Sequence, residues 1–466
     1  MICLKILYGI ANGSVLQRNS DGVCVCKFAA ECSGELRTSL GRLINIGNEY
    51  ILTGIPTGGP YDLELMDDCE AIKLQIWVGD IWVLGGQSNM EGAGCMTESD
   101  FLDEVHPNPA LRAYYLDNRW DDAKPILHEP WISVDACQRE LWKRNQLNSI
   151  WKSDQPPFIS HGVPKRGVGP GLYFAKKLYS ITGVPQAVIP CALGGASLED
   201  WKPESVDGSG LYGAMLRRFK RVGSKVRGLF WYQGCSETSQ DGVKNFTEKM
   251  VNFISAVRRD FGDADLPFVQ VQIAQMALPW SNDFTCGLMW EGIREKQRTL
   301  GDIVPNMDTV AAIDAPRDDL IHLSSEGEKI VGERAALSMA KLCSYPGGIA
   351  APKLSGMSIH TDEYRPFWAV LALHYDNVSK IVSTGAPSGF TITKTPDEQM
   401  LNPSCRIARI ILKNDTVLLY TEMTENELRN HYVRYGYLNM GYCNIGDVSG
   451  HLLPAMGPIA ISEYIK

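Results

Sequence analysis

The chain has 466 residues, a formal net charge of -9, 44% hydrophobic and 21% charged residues, and a sequence pI near 5.5. That length exceeds what one ordinary core organises and predicts two or three domains. The acidic balance, without a basic run, argues against a nucleic-acid partner, and no apolar run approaches the ~20 residues that cross a bilayer. Thirteen Cys residues, an odd number without paired Cys-x-x-Cys spacing, support neither a zinc site nor a disulfide framework. Met1–Tyr8 lacks a basic segment followed by a long apolar stretch, so no signal peptide is read and a cytoplasmic location is expected.

Residues 1–78 carry short β-type runs (Gly22–Phe28, Tyr50–Leu52, Ala71–Val78) broken by Gly, Asn and Pro, and predict an N-terminal all-β module. Residues 79–345 alternate apolar strands with amphipathic helices, the signature of a parallel sheet covered on both faces. Residues 346–466 return to β-type runs (Phe367–Leu373, Ile407–Leu412, Thr416–Tyr420) spaced as in a β-sandwich.

Four middle-region strands end in polar clusters. Ile81–Leu84 runs into Gly85-Gly86-Gln87-Ser88-Asn89-Met90, and Ala187–Ile189 leads to Gly194-Gly195-Ala196-Ser197. Leu229–Tyr232 ends in Gln233-Gly234, and Val310–Ile313 ends in Asp314, with Asp318, Asp319 and His322 behind it. Ligands of such sheets bind beyond the carboxyl ends of the strands, so these clusters predict one active site. The pattern Leu172, Ala175, Leu178, Tyr179 reads as a helix stopped by Gly183.

A serine hydroxyl needs a base, normally His, and a carboxylate to orient the ring. Ser88 taken alone reads as a helix N-cap. Asp319, three residues before His322, reaches the ring's Nδ1 from one short loop, and a capping box at Ser325 and Glu328 anchors that loop. Asp318 and Asp314 are the alternative acids. Oxyanion donors are the N–H of Ser88, the backbone of Gly195 and the amide of Gln233. Of the nearby aromatics Trp201, Trp231, Tyr232 and Trp280, Trp201 is the expected substrate wall, whereas Trp231 lies within a strand and reads as core.

With these residues assembled, the chain resembles the SGNH-type hydrolases, and within them the sialate O-acetylesterase-like carbohydrate esterases. The matching segments are Gly86-Gln87-Ser88-Asn89-Met90-Glu91, Gly194 to Trp201, Trp231-Tyr232-Gln233-Gly234, Arg294 to Gln297 and His322 with Gly332-Glu333-Arg334. Val15 to Arg18, Val433 to Tyr437 and Leu453 to Ala455 resemble the family's flanking β modules. The resemblance implies an SGNH-type three-layer α/β/α domain with a parallel sheet, flanked by N-terminal and C-terminal all-β modules. It also implies a metal-free and cofactor-free serine esterase, with Ser88 as nucleophile, His322 as base and Asp319 as its partner. Its substrate would be an acetylated mono- or oligosaccharide, with Gln87, Asn89, Trp201, Glu237 and Arg294 as substrate-binding residues. Two positions depart from the family pattern: Cys235 stands where Glu is usual, and Leu323 where Pro is usual. A non-catalytic sugar-binding protein and a lipid or thioester esterase are the competing functions, and oligomeric state is left open.

Overall fold

The computed structural model describes residues 4–148, 166–203, 208–276, 284–398, 406–437 and 442–465. The chain divides into two units, Met1–Gln233 with Met250–Phe268, and Gly234–Lys249 with Val269–Lys466. It is an α/β protein with a parallel-strand sheet and several antiparallel sheets. Among the described residues no helix is long and apolar enough to cross a membrane.

The first unit opens with an antiparallel sheet in the order Lys5–Tyr8, Val23–Glu31, Tyr50–Pro56, Arg42–Asn45. Cys24, Cys26 and Phe28, alternate residues of one strand, enter a core with Leu52, Leu63 and Ile76, as a period-two strand requires. The strand Ala71–Gly86 then runs for 16 residues, straight through residue 78, where the sequence texture changes. Its first half pairs antiparallel with Gly58–Met66. Its second half lies between Gln186–Pro190 and Gly228–Tyr232, parallel to both. Leu111–Tyr114 pairs parallel with Gln186–Pro190, and Trp120–Asp122 closes that side antiparallel.

Asp80 holds the middle of the long strand. Its fully buried carboxylate takes the Arg18 guanidinium through two bonds of 2.9 Å. The Gln17 amide donates to the same carboxylate at 3.3 Å and accepts the Ile81 N–H at 2.8 Å. Gly79, one residue earlier, is required by close approach: a Cβ there would lie 2.0 Å from the Pro185 carbonyl oxygen. The helix Gly171–Thr182 packs on Gln186–Pro190 and stops at Gly183 in the left-handed conformation (φ 67°), the termination that the sequence predicts.

In the second unit Phe268–Gln272 and Met307–Ala311 are neighbouring strands, and the helix Ser325–Leu342 packs on the latter. Ser324 caps this helix, its hydroxyl accepting the Gly327 N–H at 3.2 Å. The predicted box on Ser325 and Glu328 does not form, because Ser325 already lies inside the first turn. Glu328 points inward instead, where burial pushes its carboxyl pKa well above the ordinary value. Towards the C-terminus, Lys353–Thr361, Ala369–Asp376, Thr416–Thr421 and Ile407–Lys413 form an antiparallel sheet in that order. Phe390–Thr393, Tyr432–Tyr435 and Met456–Ala460 form a second. Leu371, Leu373, Ile392, Val417, Leu419 and Val433 fill the core of this region. Phe367, where the strand is expected to begin, stays exposed, and the observed strand begins two residues later at Ala369.

Candidate active site

Ser88 follows the carboxyl end of Ala71–Gly86 and begins a single helical turn, Ser88–Glu91. The two glycines before it answer crowding from the next strand. A Cβ on Gly85 would lie 2.8 Å from the Trp231 ring, and one on Gly86 (φ 139°) would lie 2.1 Å from the Tyr232 carbonyl oxygen. The Gln87 N–H donates to that same oxygen at 2.9 Å. The N-cap position is Gln87, without a side-chain cap bond, so the Ser88 hydroxyl is not spent on capping. From Ile81 to Met90 only Ser88 reaches solvent, with Gln87 and Asn89 buried on either side.

The Gly194–Gly195 turn lies against this serine. A Cβ on Gly194 would be 3.8 Å from the Ser88 Cβ and 3.2 Å from Glu91 Oε2. The Gly194 N–H donates to the Glu91 carboxylate, and Asn145 Nδ2 donates to the Gly194 carbonyl at 2.5 Å. Gly195 takes φ 72°, a left-handed conformation that disfavours a side chain. Among the described residues the N–H groups of Ser88 and Gly195 have no backbone acceptor. Gln233, fully buried, donates from Nε2 to the Ala196 carbonyl at 3.4 Å and so braces the same turn.

Burial pushes the Glu91 carboxyl up to about 7, against the opposing pull of the Gly194 N–H. Glu91 and Asn145 are the contributors that the sequence reading missed. The signal for Glu91 was its i,i+3 spacing from Ser88, which puts both on one helical face. Asn145 acts across 49 residues and carries no local signal.

Trp201 corrects an expectation. It is fully buried, meets Trp231 edge-on at 5.1 Å and donates from Nε1 to the Gly86 carbonyl at 3.2 Å. It therefore supports the segment before Ser88 and has no exposed face for a sugar. Trp231 is core, as expected, and Trp280 lies outside the described residues.

In the second unit, His322 and Asp319 share one loop after Met307–Ala311. His322 Nδ1 lies 2.8 Å from Asp319 Oδ2, while Asp319 Oδ1 accepts the N–H groups of Ile321 at 3.0 Å and His322 at 2.8 Å. Burial opposes the charge on Asp319, but the His322 ring and these backbone donors outweigh it. They hold the carboxyl well below the ordinary range. A permanently ionised Asp319 keeps the proton on Nδ1 and leaves Nε2 as the acceptor. Asp314 is occupied elsewhere, gripped by Arg334 through bonds of 2.6 and 2.7 Å. Asp318 is exposed, and its N–H donates to the His322 carbonyl at 3.0 Å.

Arg294 also departs from expectation. It is fully buried, and its guanidinium donates to the carbonyls of Ile273, Ala274 and Gly436, each at 3.3 Å. It ties a helix to two loops and does not face substrate. Glu237 lies buried in a short turn, Cys235–Glu237. Burial pushes the Cys235 thiol up to about 12, so at the position where the family pattern has Glu the side chain stays neutral. Leu323, at the other departure, is fully buried. Among the described residues no group of three or more His, Cys, Asp or Glu side chains is placed to hold a metal ion.

Two solved structures illustrate the similarity. XAC1771, a carbohydrate acetylesterase from Xanthomonas citri, is 22% identical with a TM-score of 0.70, and the alignment covers 97% of this chain and 99% of that one. That likeness establishes the fold. The Arabidopsis thaliana protein AT4G34215 is 25% identical with a TM-score of 0.41, over 57% of this chain and 98% of that one. No curated protein sequence matches the chain. Residues 78–341, more than half of the chain, match the family model described as carbohydrate esterase, sialic acid-specific acetylesterase. With the Ser88 loop, the Gly194–Gly195 turn and the Asp319–His322 loop inside that match, the chain belongs to this carbohydrate esterase family and is a carboxylic ester hydrolase.

Proposed function

We propose that the enzyme removes acetyl groups from acetylated mono- or oligosaccharides by a serine mechanism, in an SGNH-type three-layer domain (79–345) between all-β modules (1–78 and 346–466). His322 Nε2 takes the Ser88 proton, and Ser88 Oγ attacks the acetyl carbonyl. The N–H groups of Ser88 and Gly195, with the Gln233 side-chain amide, stabilise the oxyanion. The sugar hydroxyl departs with the proton from His322, and water, deprotonated by the same ring, releases acetate and restores Ser88. Gln87 and Asn89, which flank Ser88, and Glu237 contribute to substrate binding. The observation that carries this reading is the 2.8 Å contact between Asp319 and His322 Nδ1, which orients the ring for a base's task. Replacement Ser88→Ala is expected to abolish acetate release while the thermal unfolding transition is kept. Wild-type turnover in that variant would refute the assignment.

A further inference from the structure

A cavity of about 490 Å³ opens within the second unit. One wall is the segment 313–317 together with Asp319. The opposite wall comes from the C-terminal region, through Thr384, residues 442–444 and Leu452. Its volume falls in the range of small-molecule pockets. Asp319 lines it and also holds His322, so an occupant lies one side chain away from the proposed base.

We propose that this cavity is a subsite for a neutral sugar chain, receiving the residues next to the acetylated one, with Tyr442 as its stacking platform. Tyr442 is 67% exposed although it lines the cavity. A large aromatic ring at a cavity rim offers a flat apolar face for stacking, which the C–H face of a pyranose complements. The wall behind it is preorganised. Asn444 donates to the carbonyls of Thr384 at 2.7 Å and Ala386 at 2.8 Å, and accepts the Ser388 N–H at 2.9 Å. Binding therefore spends little on ordering that wall.

Charge selects the class of sugar. The lining carries Arg317, Asp314 and Asp319, and Asp314 is neutralised by the Arg334 ion pair. Arg317 is held over the carbonyls of Gln275 at 2.7 Å and Leu320 at 3.3 Å, and its charge balances that of Asp319. Burial pushes the Cys443 thiol up to about 12, so it adds no charge. Among the described lining residues no surplus cation waits for a sugar carboxylate, whereas the polar rim suits hydroxyl groups.

This inference rests on the acetylesterase reading and is tested apart from it. The full chain, Tyr442→Ala and Tyr442→Phe are assayed on acetylated xylotetraose, acetylated xylose and 4-nitrophenyl acetate. Binding of unacetylated xylotetraose to each is measured by titration calorimetry. For Tyr442→Ala, KM on the tetrasaccharide is expected to rise about 2- to 12-fold, the span of one aromatic stacking contact. The two small esters should keep their KM and kcat, Tyr442→Phe should match wild type, and tetrasaccharide binding should weaken in parallel. An unchanged KM on the tetrasaccharide, or an equal rise on all three esters, overturns the subsite. Tyr442-dependent preference for an acetylated sialic acid overturns its neutral selectivity. If wild type hydrolyses none of the esters, the acetylesterase reading fails, and the calorimetry still decides the subsite by the presence or loss of Tyr442-dependent binding.

Discussion

Replacing Asp319 with Asn discriminates among the three acids near His322. The carboxylate makes three contacts: Oδ2 with His322 Nδ1, and Oδ1 with the N–H groups of Ile321 and His322. Asparagine keeps an oxygen for the two backbone donors, so the loop is held. Its NH₂ then faces Nδ1 as a second donor, which forces the ring proton to Nε2 and removes the acceptor that Ser88 needs. A wrong tautomer of this kind costs on the order of 10³- to 10⁴-fold in kcat, or about 4–5 kcal/mol of barrier. Asp318→Asn is expected to stay within about twofold of wild type, the range for an exposed surface change. Asp314→Asn should lower stability through the lost Arg334 pair without a comparable loss of turnover. The assay is kcat on 4-nitrophenyl acetate at pH 8, normalised to serine labelled by a fluorophosphonate. Linkage adds a second readout. Because the Asp319 pKa is depressed on folding, its stabilising contribution is complete above the ordinary carboxylate pKa of about 3.9 and fades only as pH falls below it. The stability gap between wild type and Asp319→Asn should therefore narrow as pH falls below about 4. Retention of more than a tenth of wild-type kcat in Asp319→Asn, or a collapse in Asp318→Asn, would refute the assignment.

Glu91 gives the opposite sign of linkage. Its pKa rises from 4.5 to about 7 on folding, so its ionisation is free of penalty at low pH and costs stability as pH climbs through 7. Chemical denaturation should show the stability of Glu91→Gln gaining on wild type by about 3 kcal/mol between pH 4.5 and 8.5; a pH-independent gap would count against a buried, titrating carboxyl. Arg18→Ala removes the guanidinium that neutralises the buried Asp80 carboxylate and is expected to lower stability by about 3–5 kcal/mol. A loss below ~1 kcal/mol in urea denaturation would mean that water reaches Asp80 in the folded state.

The features legible from sequence are those whose cause is local. Gly85 and Gly86 announce close approach of backbone, Gly183 a left-handed stop, and Asp319 and His322 a loop short enough to fold on itself. Each involves residues within a few positions, so one segment holds all the information. The strand Ala71–Gly86 was divided at residue 78 because its two halves have different partners, and partners lie elsewhere in the chain. Trp201 and Arg294 show the same limit from another side. A tryptophan after a glycine loop and an arginine on a helix look alike whether they face a ligand or a core, and only their distant neighbours decide.

Distant neighbours also give the loop around Ser88 its rigidity. Ser88 has little packing of its own. It is fixed by what the strand before it and the Gly194 turn beside it cannot move away from. Trp201 fills the space beneath, Gly85 and Gly86 admit Trp231 and Tyr232, and Glu91 and Asn145 grip the two sides of Gly194. A hydroxyl and two backbone N–H groups can keep their geometry there because these described neighbours are buried or hydrogen-bonded. The residues that hold the site are thus more numerous than those that would touch the acetyl group. Substitutions among them should lower kcat through misplacement of the donors rather than through loss of a reacting atom.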